Sequence, residues 1–182
     1  MSTLSFRPMA QSDLALVAEW LRQEHVQRWW KDPTAPDNVE ETYLPRIQGA
    51  EPAEMLVIVW DGRDIGMVQR YRMDDHPDWE RSLVPSGLGF GNPAGIDYVI
   101  GEPELIGHGI GSVVIEAFSA AVFERYPDVE SIVVTPQAAN RASCRVLEKA
   151  GYQLDWTGMI VSADPSDGGP AALYILRRPG FR

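Results

Sequence analysis

The chain has 182 residues, 45% of them apolar and 9% aromatic, enough to bury a sizeable core, so a single domain spanning residues 1–182 is expected. Its 16 basic residues stand against 26 acidic ones, a net charge of -10 that repels nucleic acid and anionic lipid and attracts a cationic small molecule. The lone cysteine, Cys144, excludes an internal disulfide and a cysteine-rich metal site and suits a reducing cytoplasm, and without an apolar signal core or a run of about 18 apolar residues no membrane association is expected.

In chain order, "FRPM" (6–9) predicts a short first strand. Ser12 or Asp13 then caps a helix whose apolar residues Leu14, Val17, Ala18 and Leu21 recur at helical spacing. "EHVQRWW" is a second short helix, and "NVEETYLPRIQ" (38–48) a third whose regularity Pro45 limits. "EMLVIVW" and "DIGMVQRY", joined by Asp61-Gly62, form a hairpin, because Asp-Gly between apolar runs suits the left-handed turn that strand twist requires. Residues 73–94, rich in Asp, Pro and Gly, are expected to be a long loop, and loops of that length in compact domains usually carry function.

"GIDYVIG" (95–101) predicts a central strand. The stretch "ELIGHGIGSVVIEAF" (104–118) then sets three glycines at alternate positions before an apolar helix of about residues 110–124. Each glycine costs roughly 1 kcal/mol relative to alanine inside a helix, so the backbone there must either bend or approach something closely. A glycine turn entering a helix offers unpaired N–H groups and the positive end of the helix dipole to phosphate oxygens; a loop that merely needs permissive torsions is the other account. "SIVVTP" is a buried strand, and "NRASCRVLEKAG" a helix that begins at Asn140 and ends at Gly151. "YQLDWTGMIV" and "AALYILRR" are strands joined by a turn around Asp167-Gly168-Gly169. This order gives an α/β or α+β sheet of mixed strand direction.

The segments "GIDYVIGEPELIGHGIGS", "NRASCRVLEKAGY", "SDLALVAEWLRQEHVQRWW" and "DIGMVQRY" occur in the order and spacing of one family. Over nearly all its length the chain resembles the GNAT superfamily of acetyl-coenzyme A dependent N-acyltransferases, and the last two segments are most similar to its aminoglycoside 6'-N-acetyltransferases and siderophore lysine acyltransferases. The resemblance implies the GNAT fold, a mixed and mostly antiparallel sheet flanked by helices, with acetyl-CoA as cosubstrate and no metal. It also implies contacts to the coenzyme. Tyr98, Val99 and Ile100 would supply backbone groups to the thioester carbonyl and pantetheine; Gly107, His108, Gly109, Ile110, Gly111 and Ser112 would close on the pyrophosphate; Asn140 matches a further coenzyme-contacting position. Asn140 serves equally as an ordinary helix cap, and His108 as a solvated loop side chain.

Transfer to an amine needs a neutral nucleophile, so a carboxylate that binds the ammonium and takes its proton is wanted beside the acyl group. Asp97, in an otherwise apolar strand, is the catalytic candidate. Asp78 and Trp79 resemble an acidic and aromatic pair that contacts sugar amines in the aminoglycoside enzymes, and Trp30, Tyr43 and Gln69 are placed in the same acceptor cleft. Three positions depart from the family pattern. Ile106 stands where Arg or Gln is usual, Leu147 where many members carry a general-acid tyrosine, and Thr135 where the aminoglycoside subgroup often has aspartate. Protonation of the departing thiolate then falls to water, Tyr152 or Cys144. The expected activity is acetylation of an amine on a polycationic acceptor, foremost the 6'-amine of aminoglycosides. A siderophore lysine N-acyltransferase and a non-catalytic acyl-CoA binding module are the alternatives. The sequence leaves the oligomeric state open.

Overall fold

The structure, a computed structural model, describes residues 2–87, 89 and 91–180. β1 (Leu4–Pro8) runs antiparallel to β2 (Ala53–Trp60), with Leu4 opposite Trp60 and Pro8 opposite Leu56. Met9, expected to end the first strand, follows it, and its N–H donates to the Met55 carbonyl. β2 turns through Asp61 and Gly62 into the antiparallel β3 (Arg63–Arg72). Both turn residues have positive φ, 50° and 77°, which is the left-handed pair that the Asp-Gly sequence anticipates.

Two compact units share the chain: Met1–Tyr71 with Asp97–Ile110, and Arg72–Ile96 with Gly111–Arg182. In the first, α1 (Leu14–Leu21), α2 (Glu24–Gln27) and α3 (Pro36–Ile47) accompany β1 to β3. Val17, Ala18, Trp20, Leu21, Val26, Val39 and Tyr43 join Met55, Val57, Met67 and Val99 in one buried cluster. The helical spacing of the apolar residues in α1 thus does what it predicts. Its cap differs. Asp13 closes a 3₁₀ turn (Gln11–Asp13) that precedes α1, and its carboxylate accepts from the Ala10 N–H at 2.8 Å and pairs with Arg7 instead of capping α1. Pro45 lies inside α3, where the missing N–H falls near the C-terminal end and the helix continues past it.

In the second unit, the stretch expected as a bare loop holds a 3₁₀ turn (Met73–Asp75), α4 (Pro77–Ser82) and a further 3₁₀ turn (Val84–Ser86). Its last two residues, Pro93 and Ala94, already belong to β4 (Pro93–Ile100), and residues 88 and 90 lie outside the described residues. α5 (Ile110–Arg125) leads to β5 (Ser131–Val134), which pairs in parallel with β4 over Pro93–Gly95. After α6 (Arg141–Lys149), β6 (Gln153–Gly158) and β7 (Ala171–Arg177) are antiparallel, and β7 also lies antiparallel beside β5. The expected short turn between the last two strands is a longer connection with a 3₁₀ turn at Pro165–Asp167, so β6 ends at Gly158. Ile115, Phe118, Ile132, Leu147, Leu173 and Tyr174 are buried in this unit. Among the described residues, seven strands follow the order β1-β2-β3-β4-β5-β7-β6, a mixed and mainly antiparallel sheet.

Candidate active site

Asp97 sits half-buried on β4, and its Oδ2 accepts a hydrogen bond from Gln69 Nε2 on β3 at 2.6 Å. The other end of the Gln69 amide accepts from Arg46 Nη1 at 3.3 Å, and Arg46 Nε donates to Glu51 at 3.1 Å. The same guanidinium lies over the Tyr43 ring, 5.5 Å from its centroid. Tyr43 is fully buried; its hydroxyl donates to Asp32 Oδ2 at 2.7 Å and accepts a hydrogen bond from Trp30. Burial first, then the charge of Asp32, push the Tyr43 phenol well above its ordinary range, which keeps it a neutral donor. Trp30, Tyr43, Gln69 and Asp97, each expected at the acceptor site from sequence, are therefore joined by one string of polar contacts within the first unit. Asp32, Arg46 and Glu51 were not anticipated. Arg46 had a signal, since it follows Tyr43 by three residues on the same helix and so shares its face; Asp32, in an irregular stretch between helices, had none.

Beyond Asp97, β4 continues through Tyr98, buried Val99 and Ile100, past the residues that pair with β5. The Ile100 carbonyl lies 2.8 Å from His25 Nε2, and the Gly101 N–H donates to Ile65. Arg63 pairs with both Glu102 and Glu104, the latter at 2.8 Å, and Glu102 also accepts from Trp20 Nε1 at 3.1 Å. That cation is thus consumed before the glycine loop begins. Gly107 and Gly109 have φ of 85° and 80°, and a Cβ at either would meet nothing within 4 Å. Torsion, not crowding, demands glycine there, and the exposed residues 106–109 lead straight into the N-terminus of the 16-residue α5. A loop of this kind offers backbone N–H groups to an anion; His108 beside them is exposed, and Ile106 contributes no charge. Gly111 has a packing reason of its own: a Cβ would come within 3.1 Å of Val146 on α6. Ile110 is buried and Ser112 half-buried.

Asn140 does cap α6, its Oδ1 accepting from the Ser143 N–H at 3.1 Å. Leu147 is wholly buried and Cys144 nearly so. Ser119 donates its hydroxyl proton to the Ile115 carbonyl, so in the buried 2.7 Å pair with Tyr152 it is the tyrosine that donates. The Tyr152 proton is committed to the core. Asp78 and Trp79 lie on α4 in the second unit; Asp78 is 93% exposed and pairs with Arg81, while Trp79 is half-buried. Among the described residues no group of His, Cys, Asp and Glu is arranged to hold a metal ion, and no helix is long and apolar enough to cross a membrane.

The family model for the acetyltransferase (GNAT) domain matches residues 9–157. The chain belongs to the GNAT acetyltransferase family. Its mixed sheet is that of the GNAT fold, and members of the family are acyl-CoA dependent N-acyltransferases. Among individual relatives of this GNAT chain, aminoglycoside N(6')-acetyltransferase type 1 of Klebsiella pneumoniae is 29% identical over 185 residues, covering 98% of this chain and 85% of the relative. A lysine N-acyltransferase, MbtK of a Mycobacterium species, is 25% identical over 140 residues, covering 77% of this chain and 55% of the relative. The crystal structure of aminoglycoside acetyltransferase AAC(6')-Ib in complex with coenzyme A and kanamycin superposes with a TM-score of 0.76 at 28% identity, covering 97% of this chain and 95% of that one.

Proposed function

We propose that this GNAT protein transfers the acetyl group of acetyl-CoA to an amine of a polycationic acceptor, foremost the 6'-amine of an aminoglycoside. The observation that carries the reading is the Asp97 carboxylate, held at 2.6 Å by Gln69 on the strand that leads to the glycine loop. The likeness to an aminoglycoside N(6')-acetyltransferase over 98% of the chain supports the acceptor class. Asp97 draws the acceptor ammonium by charge and takes its proton, which frees the nitrogen lone pair for attack. Acetyl-CoA, when bound, supplies the thioester carbon that this nitrogen attacks. The backbone of Tyr98, Val99 and Ile100 orients the pantetheine arm and the thioester carbonyl, and the amides of residues 107–112 with the α5 dipole hold the pyrophosphate. Asn140, whose Oδ1 is used by its cap, keeps its NH₂ for the coenzyme. Because the Tyr152 and Cys144 protons are buried, water protonates the thiolate. Trp30 and Tyr43 shape the acceptor site, and Asp78 with Trp79 captures further ammonium groups. The setting is the cytoplasm, and its consequence is antibiotic resistance.

Similarity to a lysine N-acyltransferase favours a second reading, a longer acyl chain delivered to a lysine-type amine. Thiol release separates the two when acetyl-CoA and a long-chain acyl-CoA are each offered with kanamycin and with a hydroxylysine derivative. Release with acetyl-CoA and kanamycin is expected. Release confined to the long-chain donor and the lysine derivative would replace the first reading by the second, and coenzyme binding with no release on any amine would leave only a binding module.

A further inference from the structure

The contacts around Asp97 assign work to a residue that reaches it only through another side chain. A glutamine side chain has two chemically opposite ends that differ little in shape, so its orientation is decided by its neighbours. At Gln69 both neighbours agree. Arg46 carries only donors, and its Nη1 faces Oε1 at 3.3 Å; the Asp97 carboxylate accepts, and its Oδ2 faces Nε2 at 2.6 Å. Turning the amide over would set donor against donor on one side and oxygen against oxygen on the other. Arg46 is itself held from two further directions, by Glu51 at 3.1 Å and by the face of the Tyr43 ring, and its side chain is only 25% exposed. A planar guanidinium suits this task because it offers several fixed donors at once.

We propose that Arg46 is a positioning residue for acetyl transfer: held by Glu51 and stacked on Tyr43, it locks the Gln69 amide so that its NH₂ always faces Asp97 and fixes the carboxylate that receives the acceptor's proton. The catalytic part of this statement rests on the role proposed above for Asp97; the locking of Gln69 does not. A merely structural Arg46 would serve as a cation in the last turn of α3, tying the helix to the turn that follows. The two accounts diverge for Gln69.

The test uses Arg46→Met, which keeps length but loses charge and donors, Arg46→Lys, Gln69→Leu and the double variant that combines Arg46→Met with Gln69→Leu. In the full-length protein without acceptor, the Gln69 side-chain NH₂ pair, assigned by its disappearance in Gln69→Leu, is followed by ¹⁵N–¹H spectroscopy. Two distinct proton signals that exchange slowly with water are expected in the wild type, loss of that protection in Arg46→Met, and its recovery in Arg46→Lys. With acetyl-CoA and kanamycin, kcat falls roughly tenfold in Arg46→Met, less than the about 10²-fold that an ångström-scale misplacement costs, while the KM for acetyl-CoA is unchanged. Because Arg46 acts through Gln69, the double variant is no slower than Gln69→Leu alone. Unchanged Gln69 signals in folded Arg46→Met overturn the proposal whatever the enzyme acetylates, and so do kcat losses that multiply in the double variant. If the wild type acetylates no amine, the proposed function fails, and the Gln69 signals still decide whether Arg46 locks the amide.

Discussion

Asp97 and Asp78 are both aspartates singled out for an amine acceptor, yet their surroundings have little in common. Asp97 is half-buried on a strand, its oxygen fixed by an amide that a guanidinium orients in turn. Asp78 sits on a helix of six residues, 93% exposed, beside an arginine three positions on. A fixed carboxylate sheltered from water makes strong, directional interactions with a reacting nitrogen, whereas an exposed one attracts a cation through a screened field and costs little to displace. In the function proposed above, the pair therefore divides into a group suited to chemistry and a group suited to capture.

The sharpest way to break this division is Asp97→Asn. Asparagine keeps the size and the place beside Gln69 but not the basicity, so kcat should fall by about 10²–10⁴-fold, the range for losing a general base. Calorimetric affinity for coenzyme A and the melting temperature should stay near wild type. A folded variant with wild-type turnover would move the chemistry elsewhere, with Asp78 the next carboxylate to examine. Smaller is the effect expected for Gly109→Val, because φ of 80° is strained for a branched side chain and the loop must shift. Affinity for coenzyme A should weaken by roughly tenfold, the equivalent of about 1.4 kcal/mol of backbone strain. An unchanged dissociation constant would remove the loop from the account.

For Asp78→Asn, the acceptor KM should rise only about two- to fivefold, as befits an exposed charge pair, with kcat preserved. Wild-type affinity for kanamycin should weaken with added salt, since the Debye length is about 8 Å at physiological ionic strength. A salt-independent KM would count against capture by surface carboxylates. The least change is expected away from the site, at Arg7, which bridges Asp13 and Asp64 at 2.8 and 2.7 Å. Arg7→Met should lower the melting temperature by about 2–4 °C at neutral pH, corresponding to roughly 1 kcal/mol. The bond from Arg7 holds the Asp13 carboxyl below its ordinary pKa, against the opposing effect of burial. Stability from a depressed acid is complete above the unfolded pKa and is lost as pH falls through the folded one. The gap between wild type and variant should therefore shrink below about pH 4. A gap that widens in acid would show that the pair does not carry it.

The parts of the fold that follow from local rules were legible in the sequence. Asp61-Gly62 demanded its turn, Leu14, Val17, Ala18 and Leu21 demanded a helix facing a core, and Asn140 sits where its side chain meets the Ser143 N–H. Gly107 and Gly109 stood out for the same kind of reason, since positive φ selects their residue type. What depends on distant partners was not legible. Nothing in the periodicity of "AALYILRR" says that β7 lies between β5 and β6, and Asp13 looks like a helix cap until Arg7 is seen to claim it. The sequence singles out Gln69 and Asp97 separately, but the bond between them and the arginine behind it exist only once α3, β3 and β4 are brought together. The short α4 escaped because Asp and Pro in "DDHPDWERS" read as loop residues, and a six-residue helix is too brief to show a periodic face.

The most direct measurement is the product itself: kanamycin incubated with acetyl-CoA and the wild-type protein, the product's acetyl group located by NMR and the released thiol counted. One acetyl group on the 6' nitrogen, with one thiol freed per acetyl and product formed about 10²–10⁴-fold more slowly by Asp97→Asn, is the expected result. No acetylated kanamycin above the enzyme-free control, from folded protein saturated with acetyl-CoA, would contradict it.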